Sequence, residues 1–87
     1  MLVDVNAAGG NIFLFMPSSP ANGKCVTVKN INQGAHALYV QPGNPRAIET
    51  ESGSVGSGLY ATMATTGSAI TWVFYNDTWR IISRAGI

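Results

Sequence analysis

The sequence predicts an all-β protein, a small antiparallel β-sandwich or β-barrel, and three observations carry that prediction. Short runs of β-branched and aromatic residues recur along the chain. Clusters of Gly, Pro, Asn and Ser cut them apart at short intervals. No stretch keeps the i, i+3, i+4, i+7 apolar spacing of a surface helix. Strands at intervals of roughly 8–12 residues with turn signals between them are the pattern of sandwiches and barrels.

Taken in order, the first apolar run covers residues 2–5 and ends at Ala8-Gly9-Gly10-Asn11. The second, Ile12-Phe13-Leu14-Phe15-Met16, stops at the turn cluster Pro17-Ser18-Ser19-Pro20. Asn22-Gly23 is a strong turn pair, and the run at 25–31 follows it up to Asn32-Gln33-Gly34. Residues 37–40 form the next run, closed by Pro42-Gly43-Asn44-Pro45. The stretch 51–58 (Glu-Ser-Gly-Ser-Val-Gly-Ser-Gly) has the composition of a flexible loop and leads into the run at 59–63. Residues 70–75 and 79–82 flank Asn76-Asp77, a two-residue hairpin tip whose residue types tolerate positive φ. Connections this short favour an antiparallel meander or Greek key, because a parallel crossover needs a dozen residues or more.

Residues 1–87 make one domain. A chain of this size buries only about 60–70% of its unfolded surface. Small domains close that gap with disulfides, metals or partner chains. One cysteine excludes an internal disulfide, and one Cys with one His cannot supply the four ligands of a structural zinc. Partner chains remain. Charged residues form 10% of the sequence, against about 25% in typical soluble domains. The net charge of +1 leaves no electrostatic footprint for nucleic acid. There is no apolar run long enough for a membrane span and no leader-like start, and one unpaired cysteine without an export signal points to synthesis in a reducing cytoplasm.

Alternate residues of a strand point to opposite faces. At 12–16, Ile12, Leu14 and Met16 share one face while Phe13 and Phe15 share the other. At 70–75, Ile70, Trp72 and Phe74 lie opposite Val73 and Tyr75. Strands that are apolar on both faces are either central strands covered on both sides within a compact sandwich or barrel, or strands whose second face packs against neighbouring subunits, and the short chain favours the second. A homo-oligomer is expected, with Phe13, Phe15, Trp72 and Tyr75 at the subunit interface.

No constellation for catalysis emerges, and the chain is expected to be non-enzymatic, without metal or cofactor. His36 is the only histidine, and nothing places it beside a serine and Asp4 or Asp77. Cys25 follows Lys24 but reads as a half-buried structural thiol. Glu49 and Glu51 have the i, i+2 spacing that puts two carboxylates on one strand face, where they could bind a cation or act as an acid/base pair, but they read as a solvated loop edge. The glycine-rich stretch at 53–58 lacks the Gly-Lys-Ser/Thr ending and the helix of a phosphate loop. Asn76-Asp77-Thr78 matches the glycosylation acceptor pattern but reads as a hairpin tip. The aromatic residues lie mostly inside apolar runs, where core or interface packing outweighs ligand stacking.

The order of these segments nonetheless resembles a known module. Asn11-Ile12-Phe13-Leu14-Phe15-Met16-Pro17-Ser18, Asn22-Gly23-Lys24 and Val26-Thr27-Val28-Lys29-Asn30 come first. Tyr39-Val40-Gln41-Pro42, a turn at Arg46-Ala47-Ile48-Glu49 and a closing hairpin at 72–82 follow. Together they resemble, over residues 3–83, a β module recurrent in bacteriophage structural proteins. In that group a Trp follows the last hairpin turn and two aliphatic residues follow it, as Trp79, Ile81 and Ile82 do here. Ile48-Glu49-Thr50 replaces the usual Ile-Asp-Gly, and the tip Asn76-Asp77 lacks the common glycine.

Such modules occur in tail fibres, head fibres and capsid decoration (cement) proteins and are commonly trimeric. The resemblance implies a homotrimer on the outside of a phage head, with the major capsid protein as partner and no nucleic acid or membrane. It would be made in the host bacterial cytoplasm and found on the virion surface. A chain starting at Met1 with one module suits decoration better than a fibre, which also needs a shaft and an anchor. A receptor-binding tip or small fibre is one alternative, and its loops at 42–46 and 51–58 carry no Tyr or Trp. The other is a carbohydrate-binding β-sandwich, which would need aromatics on one open wet face.

Overall fold

A computed structural model describes residues 2–4, 10–17, 19–32, 37–43, 46–50, 52–56 and 58–85. The described residues are all-β. The strands are β1 (Leu2–Asp4), β2 (Ile12–Phe15), β3 (Cys25–Asn32), β4 (Leu38–Gln41), β5 (Ala47–Thr50), β6 (Gly53–Val55), β7 (Ala61–Met63), β8 (Ala69–Tyr75) and β9 (Thr78–Ala85). They form a six-stranded sheet in the order β1-β3-β8-β9-β5-β6 and a three-stranded sheet in the order β2-β4-β7.

Both sheets are mixed, which corrects the expectation of antiparallel pairing throughout. β1–β3, β2–β4 and β5–β9 pair parallel, whereas β3–β8, β4–β7, β5–β6 and β8–β9 pair antiparallel. Among the described strands only β5–β6 and β8–β9 join neighbours in one sheet; the other connections pass the chain between sheets. β1 reaches its partner β3 by way of β2 in the other sheet, and β2 reaches β4 by way of β3. A strand of the opposite sheet thus fills the crossover that a parallel pair requires.

The inner faces of both sheets meet in a single core. Val3, Val28, Ile48, Ile70, Trp72, Phe74 and Trp79 come from the large sheet. Leu38, Val40, Ala61 and Met63 come from the small one, with Met16 just past the end of β2. Trp72 and Trp79 are fully buried, and each such side chain stabilises the fold by on the order of 3 kcal/mol through area removed from water. Trp72 Nε1 donates to Glu49 O at 3.1 Å, which satisfies its one polar atom. Phe74 and Trp79 meet edge to face with centroids 5.3 Å apart.

The turn signals translate directly. Asn76 and Asp77 have φ of 49° and 67°, the two positive values of a type I′ hairpin. Asp77 is held there by an ion pair with Arg46, whose guanidinium also lies 5.5 Å from the Phe74 ring centroid. Gly23 has φ of 91°, and Lys24 N donates to Ala21 O at 3.1 Å across the Asn22-Gly23 turn. Two expectations change. Arg46-Ala47-Ile48-Glu49 is no turn, because Ala47 and Ile48 pair with Thr78 and Trp79 as strand β5. Part of the expected loop at 51–58 is also strand: β6 folds back on β5, with Thr50 Oγ1 donating to Gly53 O at 2.8 Å across the bend.

Candidate functional site

The period-2 alternation of β2 and β4 builds an aromatic surface on the outside of the small sheet. Ile12, Leu14, Leu38 and Val40 turn inward, so Phe13, Phe15, Tyr39 and Gln41 turn out. Parallel pairing sets Phe13 beside Tyr39 and Phe15 beside Gln41. On the other side of β4, Tyr39 lies opposite Thr62 of β7, and Tyr60 stands just before that strand. The rings touch: Tyr39 and Tyr60 have centroids 4.3 Å apart, Phe13 and Tyr39 5.0 Å, Phe13 and Tyr60 6.5 Å.

This surface is open. Phe15 is 68% exposed and Phe13 54%, with Leu59 and Tyr60 also exposed. None of the three strands of this sheet contains a charged residue. The described residues line no pocket. Tyr hydroxyls, Gln41 and Thr62 supply the hydrogen-bonding groups of the face. Contiguous exposed apolar surface with a polar border is the signature of an interaction site.

The four residues expected at a subunit interface do not form one surface. Phe13 and Phe15 stand together on the outer face just described. Tyr75 is exposed, but it belongs to the outer face of the large sheet with Val73 and Thr71. Trp72 is fully buried among the core side chains of the single chain. The alternation at 70–75 was read correctly, but not which face the chain covers with its own second sheet. Tyr39 and Tyr60 were missed. The alternation of Tyr39 with Leu38 and Val40 is a legible signal for the first, and within the run at 59–63 the alternation of Tyr60 and Thr62 with Ala61 and Met63 is a weaker one for the second, since Tyr60 stands just before β7.

The remaining candidates scatter. Cys25, expected half-buried, is exposed on the outer face of β3, its Sγ 3.6 Å from Gly23 O. Cys25 pairs with Val73 across the ladder, and Thr27, two residues on, shares a hydroxyl hydrogen bond of 2.8 Å with its own cross-strand partner Thr71. Glu49 is structural: Oε1 accepts the Ile81 N–H at 2.8 Å, and Oε2 lies 3.8 Å from Arg80 Nη1. That bond falls where the β8–β9 register slips, Trp72 pairing with Ile81 but Thr71 with Ser83. The carboxylate thus takes over a backbone donor just beyond the last β5–β9 pair, Ile48 with Trp79. His36 and Glu51 lie outside the described residues. Among the described residues no three His, Cys, Asp or Glu side chains gather as a metal site would require.

No family model, curated protein or solved structure matches this chain.

Proposed function

We propose that this chain is a non-catalytic structural protein of a virus particle, a capsid decoration or cement protein that binds the outside of a phage head as a homotrimer and stabilises the shell. The observation that carries the proposal is the uncharged aromatic face of Phe13, Phe15, Tyr39 and Tyr60, on a sheet whose other face is already committed to the core. A chain with 10% charged residues that leaves such a face in water is built to cover it with protein. Each subunit is a sandwich of its two sheets, and the small sheets turn their aromatic faces toward the threefold axis. The outer face of the large sheet, with Thr27, Lys29, Thr71 and Arg80, is left for the shell. The virion setting rests on the resemblance of residues 3–83 to bacteriophage modules. Three weak shell contacts on one trimer add up by avidity.

Light scattering on the purified chain tests the assembly, and a trimer mass is expected. Quantitative mass spectrometry of purified particles tests the setting. A copy number comparable to the major shell protein supports decoration, a handful of copies supports a fibre or receptor-binding tip, and absence from particles removes the virion reading.

One observation favours a second reading. Tyr39, Tyr60 and Phe13 form a contiguous ring platform on an open face beside Gln41 and Thr62, and such a platform suits a neutral sugar, apolar on its ring faces and hydroxylated at its rim. A monomer that binds a glycan array, and loses that binding on Tyr39→Ala, would select this reading over the first.

A further inference from the structure

The aromatic side chains of the small sheet offer too little area for a stable contact by themselves. With Phe13 54%, Phe15 68%, Leu59 55% and Tyr60 41% exposed, they present on the order of 400 Å² per copy. A standard specific interface needs about 800 Å² per partner. A second element has to contribute, and the open edge of the same sheet lies directly beside them.

β2 is that edge, and among the described residues it pairs only with β4. Ile12 N donates to Ala37 O at 2.9 Å and Met16 N to Gln41 O at 2.8 Å. In a parallel ladder alternate residues turn their peptide groups to the same neighbour. Ile12, Leu14 and Met16 therefore face β4, and the peptide groups of Phe13 and Phe15 face outward. Edge strands are ordinarily blunted by lysine, proline or a bulge. β2 has none of these, being Ile-Phe-Leu-Phe in unbroken register.

The other edge of this sheet supplies a matching partner. β2 is parallel to β4 and β4 antiparallel to β7, so β2 and β7 run in opposite directions. A rotation axis along the strands leaves their directions unchanged. β2 of one copy then meets β7 of the next in antiparallel fashion, the more stable kind of ladder. Such a contact is head to tail, and a rotation of one third of a turn between copies closes it into a three-membered ring. Charge does not oppose it, since β2, β4 and β7 carry none.

We infer that the outward peptide groups of Phe13 and Phe15 pair β2 with the β7 edge of a second copy, joining the small sheets of neighbouring subunits into one. The inference rests on the homotrimer reading and names the bonds that hold it. Phe15→Ala and Phe15→Pro separate the two contributions, because both remove the ring and only proline removes the outward N–H while sparing the bonds to β4. Sedimentation should show Phe15→Ala still associating and Phe15→Pro at least tenfold weaker, with unchanged fluorescence from buried Trp72 and Trp79 as the folding control. Equal association of the two variants overturns strand pairing while leaving the homotrimer standing. A monomeric unsubstituted chain overturns both. Independently of any variant, amide exchange at Phe13 and Phe15 should be slow in the assembled protein and become fast on dilution. Fast exchange in the assembled protein overturns the inference.

Discussion

Asn30 Nδ2 donates to Met63 O at 3.0 Å, tying β3 of the large sheet to β7 of the small one through a fully buried side chain. The backbone of Asn30 is engaged as well. Its N–H donates to Ser68 O at 2.9 Å and its carbonyl accepts from Gly67 N at 2.7 Å. One residue thus anchors the turn that carries the chain from the small sheet back to the large sheet. A buried polar side chain stabilises only when its bonds are made, and breaking one leaves a buried group unpaired.

Asn30→Ala should therefore destabilise the fold by about 2 kcal/mol, and Asn30→Asp by more, since a carboxylate cannot donate to the Met63 carbonyl. Urea titration followed by tryptophan fluorescence measures both. An unchanged midpoint for Asn30→Ala would show that the two sheets do not depend on this bond.

Glu49 poses a similar question at the β9 irregularity, where Oε1 accepts from Ile81 N. Glu49→Gln keeps an acceptor and should cost well under 1 kcal/mol, whereas Glu49→Ala orphans the N–H and should cost about 1–2 kcal/mol. Equal losses in thermal unfolding would mean that charge toward Arg80, rather than the Ile81 bond, is what matters.

At the hairpin tip, Asn76 adopts φ of 49°. Alanine tolerates this region poorly, so Asn76→Ala should destabilise by about 1 kcal/mol, and Asn76→Gly should be close to neutral or better. Calorimetric midpoints rank the three proteins, and the order glycine below alanine would contradict the turn type.

Phe15→Asp puts a charge on the open aromatic face without touching the core. On the proposed homotrimer reading the protein stays folded but becomes monomeric, and capsid binding is lost with the avidity. Analytical ultracentrifugation and a capsid co-sedimentation assay read the two effects. A monomer that still decorates capsids would sink the trimer requirement, and an intact trimer would move the interface off this face.

The all-β class and the strand runs were legible in the sequence because they depend on local properties. A β-branched or aromatic run between Gly, Pro and Asn needs no distant partner to declare itself. The Asn76-Asp77 hairpin belongs to the same group, as does the split of Ile12 and Leu14 from Phe13 and Phe15, since side-chain alternation is a property of any extended chain. What only the tertiary structure decided is pairing. Whether neighbouring runs pair with each other or cross to another sheet depends on contacts far apart in the chain, and so the parallel β1–β3, β2–β4 and β5–β9 ladders were invisible. The strand character of residues 47–50 and 53–55 has the same origin, because Ala47, Ile48 and Gly53 become strand only when a partner ladder lies beside them. Trp72 makes the point most sharply. Its run is apolar on both faces, and alternation alone does not say which of them the second sheet will cover; packing across the core settled that, burying Trp72 and leaving Phe13, Phe15 and Tyr39 outside.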